Sequence, residues 1–330
     1  MGCEASERWP HLERYTRMAL HMTRAAFLKG TAGALALTAA GGLPALAAGT
    51  PLVSKAIPKS KSGERLPVIG MGTSRTFDAR GDAAAMAEKG EVLKTLIEAG
   101  AADAKAVLDT AASYGEAEDA CGELLEKMKL RSKTFIATKF GQTGLENGVR
   151  SIEESFKRLR TDMIDLMYIH NMVDVPTQLP NIEDYKSRGK FRYIGISDTS
   201  RNQDELATHM ATGKLDFVEF SYSVDFREPE KKLLPTAMDK GVAVFVALPF
   251  GRGRALKAVQ NKEVPAWARA ELGCDTFAQL LLKFIVSHSA VTVAIPATSN
   301  VKHMIENLNA GRGTMPDAKQ REKIAEIWTA

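Results

Sequence analysis

Residues 107–115 read Val107-Leu108-Asp109-Thr110-Ala111-Ala112-Ser113-Tyr114-Gly115. An apolar pair stops at an acid, four small residues turn the chain, and a tyrosine stands where a helix opens. The pattern suits a buried strand with a short loop at its end. Thr110 to Ser113 are too small to cover anything, so Asp109 and Tyr114 share one rim of whatever sheet or barrel holds the strand.

Outward from that stretch, apolar runs alternate with amphipathic segments. Leu66–Thr73 is a short apolar run ending in glycines and suits a strand and turn. Further strands are expected at Thr134–Thr138, Ile164–Ile169, Tyr193–Ile196, Phe217–Phe220, Val242–Leu248 and Val291–Ile295. Between them lie helical faces: Met86, Leu93, Leu96 and Ile97, with Gly100 as C-cap; Ala117, Cys121, Leu124 and Met128; Val149, Ile152, Phe156 and Leu159. Later helices are expected near 178–188, 202–212, 229–240, 274–288 and 301–311, and a last one over Pro316–Trp328. Strands alternating with helices imply a parallel sheet, and eight such units in one domain fit a single (β/α)8 TIM barrel with its chemistry at the C-terminal ends of the strands. A doubly wound sheet is the alternative, but no Gly-x-Gly-x-x-Gly turn follows the first strand. Residues 50–330 form the barrel domain on this reading, with 51–65 a polar link.

Residues 1–49 are of another kind. Thr23-Arg24-Ala25-Ala26-Phe27-Leu28-Lys29 is a basic head, Gly30–Ala48 an uncharged Ala/Gly/Leu run, and Ala45-Leu46-Ala47 an A-x-A end. These are the parts of an export signal. The segment resembles a twin-arginine signal in which Ala25 replaces the second arginine, so a periplasmic or exported protein is expected, with retention in the cytoplasm as the alternative. Translation from Met18 or Met22 would place the basic head at the start. The run is too rich in Ala and Gly for a membrane span. A net charge of +4, partly in this extension, gives no basic face for nucleic acid. The three cysteines (Cys3, Cys121 and Cys274) form neither a CxxC pair nor a zinc spacing. No metal site is expected, and a monomer is.

The strand ends of such a barrel carry a distinctive set: Asp109 and Tyr114 after the second strand, Lys139 at the end of the third, His170 at the end of the fourth. Singly, each has an ordinary structural explanation. Together, in the order Asp, Tyr, Lys, His, they resemble the aldo-keto reductase family, as do Ser155–Leu166 before the fourth strand and Gly189–Ser197 across the fifth. The resemblance runs from Leu66 to about Gly313. It implies hydride transfer from NADP(H) to a small carbonyl substrate, with NAD as the alternative cofactor. In that scheme Tyr114 gives the proton, Lys139 lowers the cost of the phenolate, Asp109 holds Lys139, and His170 orients the carbonyl oxygen.

The resemblance also implies a cofactor shell: Gly72 and Thr73 after the first strand; Ser197 and Asp198, where a Ser-Asn pair is usual; Glu219, where glutamine is usual; Phe250, Gly251 and Arg252 after the seventh strand, with Ala247 in place of a ring-stacking tyrosine; and Thr298, Ser299, His303, Glu306 and Asn307 for the adenosine phosphate. Thr298 and the amides opening the next helix would hold that phosphate. Two carboxylates at Asp198 and Glu219 would favour the cationic oxidised ring and bias the reaction toward carbonyl reduction. Two other readings use the same residues: a nicotinamide-binding barrel acting as a sensor or docking subunit, and an isomerase or lyase using Lys139 as a Schiff-base amine.

Overall fold

The structure is a computed structural model that describes residues 50–79, 81–99, 104–200 and 202–329. The export-signal reading and the Gly100 cap fall outside them. Eight parallel strands lie in sequence order: β3 (Met71–Gly72), β4 (Ala106–Asp109), β5 (Thr134–Phe140), β6 (Ile164–His170), β7 (Phe191–Asp198), β8 (Phe217–Ser221), β9 (Ala243–Ala247) and β10 (Val291–Ala294). Parallel bridges Ile69–Ala294 and Gly72–Ala297 join the last strand to the start of the first, closing the expected barrel.

The polar link is more ordered than its composition suggests. Ser54–Ala56 (β1) pairs antiparallel with Arg65–Pro67 (β2) as a hairpin across the N-terminal end of the barrel. Lys55 anchors it, donating from Nζ to the carbonyls of Val286, His288 and Val291 at 2.8, 2.7 and 2.6 Å. A lysine without helical period therefore does structural work, satisfying carbonyls left over where a helix ends.

The outer layer contains α1 (Ala83–Glu98), α2 (Ala117–Met128), α3 (Leu145–Arg158), α4 (Val175–Ser187), α5 (Gln203–Ala211), α6 (Leu233–Lys240), α7 (Arg254–Ala258), α8 (Ala266–Leu272), α9 (Phe277–Val286), α10 (Val301–Ala310) and α11 (Ala318–Thr329). Local chemistry sets their ends. The Asp82 carboxylate caps the Ala84 and Ala85 amides of α1, Thr276 and Gln279 form a capping box on α9, and Gly241 takes the left-handed cap of α6. The short helices α7 and α8 fill a stretch with no clear period, so the sequence reading missed them. Cys121 and Cys274 are buried packing residues.

Two-residue alternation sorts the barrel residues into layers. Phe135, Tyr168, Tyr193, Phe217 and Phe245 point inward with Val107, Leu166 and Val293, and fill the interior as a core of rings. Gly195 makes room for this layer: a Cβ there would lie 2.5 Å from the Phe217 carbonyl oxygen and 2.7 Å from Tyr168 Cε1. One methyl group should therefore destabilise the protein. Gly195→Ala is expected to cost about 1–3 kcal/mol in urea unfolding, as overpacked cores do, whereas Gly213→Ala, where nothing is within 4 Å, should cost less through backbone strain alone.

Candidate active site

Just above the ring layer, the strands end in polar residues. Asp109 on β4, Lys139 on β5 and Glu219 on β8 all face inward and are almost wholly buried. The Lys139 ammonium donates to Asp109 Oδ1 and, at 3.0 Å, to the Thr110 carbonyl. Glu219 Oε2 is 3.3 Å from the same nitrogen, an ion-pair contact that makes no hydrogen bond. Lys139 Nζ lies 5.3 Å from the centre of the Tyr114 ring and 5.9 Å from that of Tyr168. Tyr114 and His170 meet edge to face with centroids 5.9 Å apart, and Ser113 Oγ is 3.3 Å from His170 Nδ1. The four residues expected to carry the chemistry are thus in one group. Tyr168 joins them unannounced, although its position two residues before His170 put it on the inward face.

Electrostatics follow from burial. Desolvation should strip Lys139 of its proton, but the fields of Asp109, Glu219 and Tyr114 outweigh it and hold the ammonium above its ordinary range. Desolvation, opposed by Lys139 and reinforced by Glu219 and Asp109, leaves the Tyr114 phenol pushed up to about 12. Burial, then Lys139, lowers His170 to about 4, so its ring is neutral at physiological pH. A lysine held charged between carboxylates cannot act as a free amine nucleophile, which removes the Schiff-base reading.

A cleft of about 540 Å³ opens over this group, lined by Tyr114, His170, Ser197, Glu219, Phe250 and Arg252 among others. Gly72 and Thr73 also line it. A second cavity of about 400 Å³ adjoins it and holds Thr298, His303, Glu306 and Asn307; Phe250, Leu256 and Ala297 belong to both walls. The Thr73 and Ser197 hydroxyls are buried and make no hydrogen bond within the protein. Backbone conformation marks the same rim. Arg75, Asn171, Leu248 and Arg252 line the cleft with φ of 63°, 51°, 51° and 58°, a left-handed region that non-glycine residues rarely occupy. The loop after β6 is shorter than read, since α4 already starts at Val175.

Four expectations about the cofactor shell need correction. Asp198 follows inward-facing Ser197 and so points out of the barrel, where its Oδ1 accepts the Ser200 amide at 2.9 Å and its side chain lines another cavity. Glu219 does face the cleft, but against the Lys139 cation, so the doubly negative field expected at the ring is not formed. Gly251 and Ser299 line neither cavity; the Cβ direction of Gly251 runs into the Asp225 carboxylate, while Ser299 is exposed. The opening amides of α10 are also partly taken: Asn300 Oδ1 accepts from Lys302 N and His303 N at 2.8 and 3.4 Å. Side-chain capping has claimed the donors expected to face a phosphate.

Removing the cation at the centre should expose how the group is balanced. Lys139→Met is expected to cost about 3–5 kcal/mol in urea unfolding at neutral pH, as when one partner of a buried pair is lost. The loss should shrink as the pH falls toward about 4, where the carboxylates of the unfolded chain also take up protons. It should likewise be partly recovered in the Asp109→Asn/Lys139→Met double variant.

Comparison with known proteins agrees with this geometry. Residues 68–329 match the model of the Aldo/keto reductase family. An aldo-keto reductase of Strobilurus tenacellus is 27% identical over 259 residues, covering 66% of this chain and 76% of that protein. An aldo-keto reductase of Schizosaccharomyces pombe that carries NADP(+) in its name is 26% identical over 251 residues, covering 63% and 74%. Among solved structures, an aldo-keto reductase of Klebsiella pneumoniae in complex with NADPH superposes with a TM-score of 0.70 at 23% identity, covering 84% of this chain and 96% of that one. With its ordered strand-end residues gathered around one buried lysine, the chain belongs to the aldo/keto reductase family.

Proposed function

We propose that the protein reduces an aldehyde or ketone to an alcohol with NADP(H). The observation that carries this reading is the placement of a half-buried tyrosine beside a buried, permanently charged lysine at the floor of an open cleft. Bound nicotinamide would supply the hydride. The residues fit such a group: two adjoining cavities match an elongated dinucleotide, and Ser197 and Thr73 offer unpartnered hydroxyls beside the reactive end. Thr298, His303, Glu306 and Asn307 would hold the adenosine end, with Phe250 between the two and Arg252 near the phosphates. The relative named for NADP(+) supports the phosphorylated cofactor.

Each protein group then has one task. Reduction leaves an alkoxide that needs a proton, and Tyr114 Oη–H donates it. A phenol pushed up to about 12 is a weak donor at neutral pH by itself. The Lys139 ammonium compensates by stabilising the phenolate as it forms. Asp109 positions Lys139 and neutralises its buried charge below the cleft. With Ser113 at Nδ1, neutral His170 presents its other nitrogen to the carbonyl oxygen and stabilises developing charge there. Asn171, Met172 and Asp174 take left-handed conformations in the short loop between β6 and α4, which leaves the cleft open to small carbonyl compounds. The readings as a sensor or docking subunit draw on no feature that the reductase reading leaves unexplained. Export through the N-terminal segment remains part of the proposal, and cell fractionation tests it.

Expressing residues 50–330 and following NADPH absorbance with a panel of aldehydes and ketones tests the activity. Tyr114→Phe should lower kcat by about 10²–10⁴-fold, the usual worth of a general acid, with NADPH affinity by fluorescence titration unchanged. Wild-type rates in that variant would end the assignment of Tyr114.

A further inference from the structure

The buried charge around Lys139 does not balance if every group ionises normally. One ammonium faces two carboxyl groups, Asp109 from β4 and Glu219 from β8, which are 2% and 2% exposed. Asp109 takes the hydrogen bond from Lys139. Asp109 Oδ2 and Glu219 Oε2 are both buried and have no hydrogen-bond donor. The other groups around them add no positive charge: Tyr114 and Tyr168 are phenols, and His170 is neutral. On the flanking strands β7 and β9 the inward residues are Gly195 and Ser197, and Phe245 and Ala247, none of which titrates. Full ionisation would leave a net negative charge on side chains that are almost wholly withdrawn from water at the floor of the cleft, a cost that proteins avoid by keeping a proton.

We propose that Glu219 is a positioning residue that works as a neutral carboxylic acid, sharing one proton with Asp109 beside the Lys139 ammonium, and that its ionisation in alkali withdraws the support Lys139 gives to Tyr114. The inference rests on the reductase reading for its second half only. Asp109 keeps the negative charge because the lysine bonds it directly; Glu219 keeps the proton because its contact with Lys139 is longer and poorly aligned. Burial pushes both carboxyls upward, the neighbouring Asp109 charge pushes Glu219 further while Lys139 pulls Asp109 back, and the two groups titrate as a pair.

The consequence concerns the moment of proton transfer. With Glu219 neutral, the group passes from one carboxylate and one ammonium to the same pair plus a phenolate. With Glu219 ionised, the phenolate would form beside a second negative charge, and the Lys139 field would already be spent on two acids. The change acts on the phenol through the lysine, without contact between Glu219 and the substrate. A glutamic acid also keeps a donor and an acceptor oxygen on one side chain, as an amide does. With its proton held toward Asp109, neutral Glu219 still offers the nicotinamide end of the cleft its other oxygen as an acceptor.

Infrared difference spectroscopy of the substrate-free protein tests the first half directly. At pH 7 the wild type should show the band of a protonated carboxylic acid, which shifts in deuterium oxide and fades as the pH rises, and which is missing from Glu219→Gln. A spectrum without such a band, or one in which it survives in Glu219→Gln, overturns the proposal. The fading of the band in the wild type needs no variant, so a failure of Glu219→Gln to fold leaves the test intact. For the second half, kcat for reduction in the wild type should fall about tenfold per pH unit above the pH at which the band fades. In Glu219→Gln, whatever its absolute rate, that limb should be absent or moved up by at least about one unit. An unchanged limb would refute the link to Tyr114, and an inactive wild type would refute the reductase reading while leaving the infrared result to decide the proton.

Discussion

The Lys139–Asp109 ion pair is the constraint on which the upper half of this barrel depends. A lysine ammonium with no solvent exposure has to be compensated where it lies, and the compensation comes from the neighbouring strand, through a carboxylate and the Thr110 carbonyl. The parallel register that sets Asp109 beside Ala137 and Lys139 beside Tyr168 makes that reach possible. Once the ammonium is fixed, the phenol at the rim has a defined electrostatic partner. The aromatic layer below keeps water from reaching the group from the other end. Stability and electrostatics are therefore joined in one place, and the charge that faces the Tyr114 phenol is also one the fold must hold in position.

The same place shows how far a local pattern can be followed. Asp109, Tyr114, Lys139 and His170 were legible because strand periodicity fixes which residues reach the C-terminal rim, and because their spacing follows from one strand and one helix per unit. Closure into a ring was legible for a similar reason. Eight alternating units with no break leave few other ways to bury both faces of a parallel sheet. Tyr168 could have been found by the same counting, two residues before His170.

The cofactor shell was harder, and each miss has a physical cause. Asp198 was placed by the resemblance, where an asparagine is usual, but alternation turns it outward, and the Ser200 amide fixes it there. The α10 amides looked free because a helix start normally has unpaired donors; a single asparagine, Asn300, had claimed two of them. The left-handed residues around the rim, Arg75, Asn171, Leu248 and Arg252, had no signal at all. Their conformations are imposed by packing, against intrinsic preference, and only the assembled loops reveal them. The hairpin under the barrel was hidden likewise, since three-residue strands are too short to show a period.

The sequence by itself determined the order and type of the elements, the side of each strand that carries chemistry, and the placing of Tyr114 and Lys139 at one rim. Those properties follow from short-range periodicity and from residue chemistry, which do not need the fold to be complete. Tertiary structure alone decided the charge balance. That two acids from strands far apart in the chain meet one ammonium is a fact of barrel closure, since β4 and β8 come together only across the interior. Whether Glu219 keeps its proton depends on that meeting and on the exclusion of water around it, neither of which is encoded near residue 219.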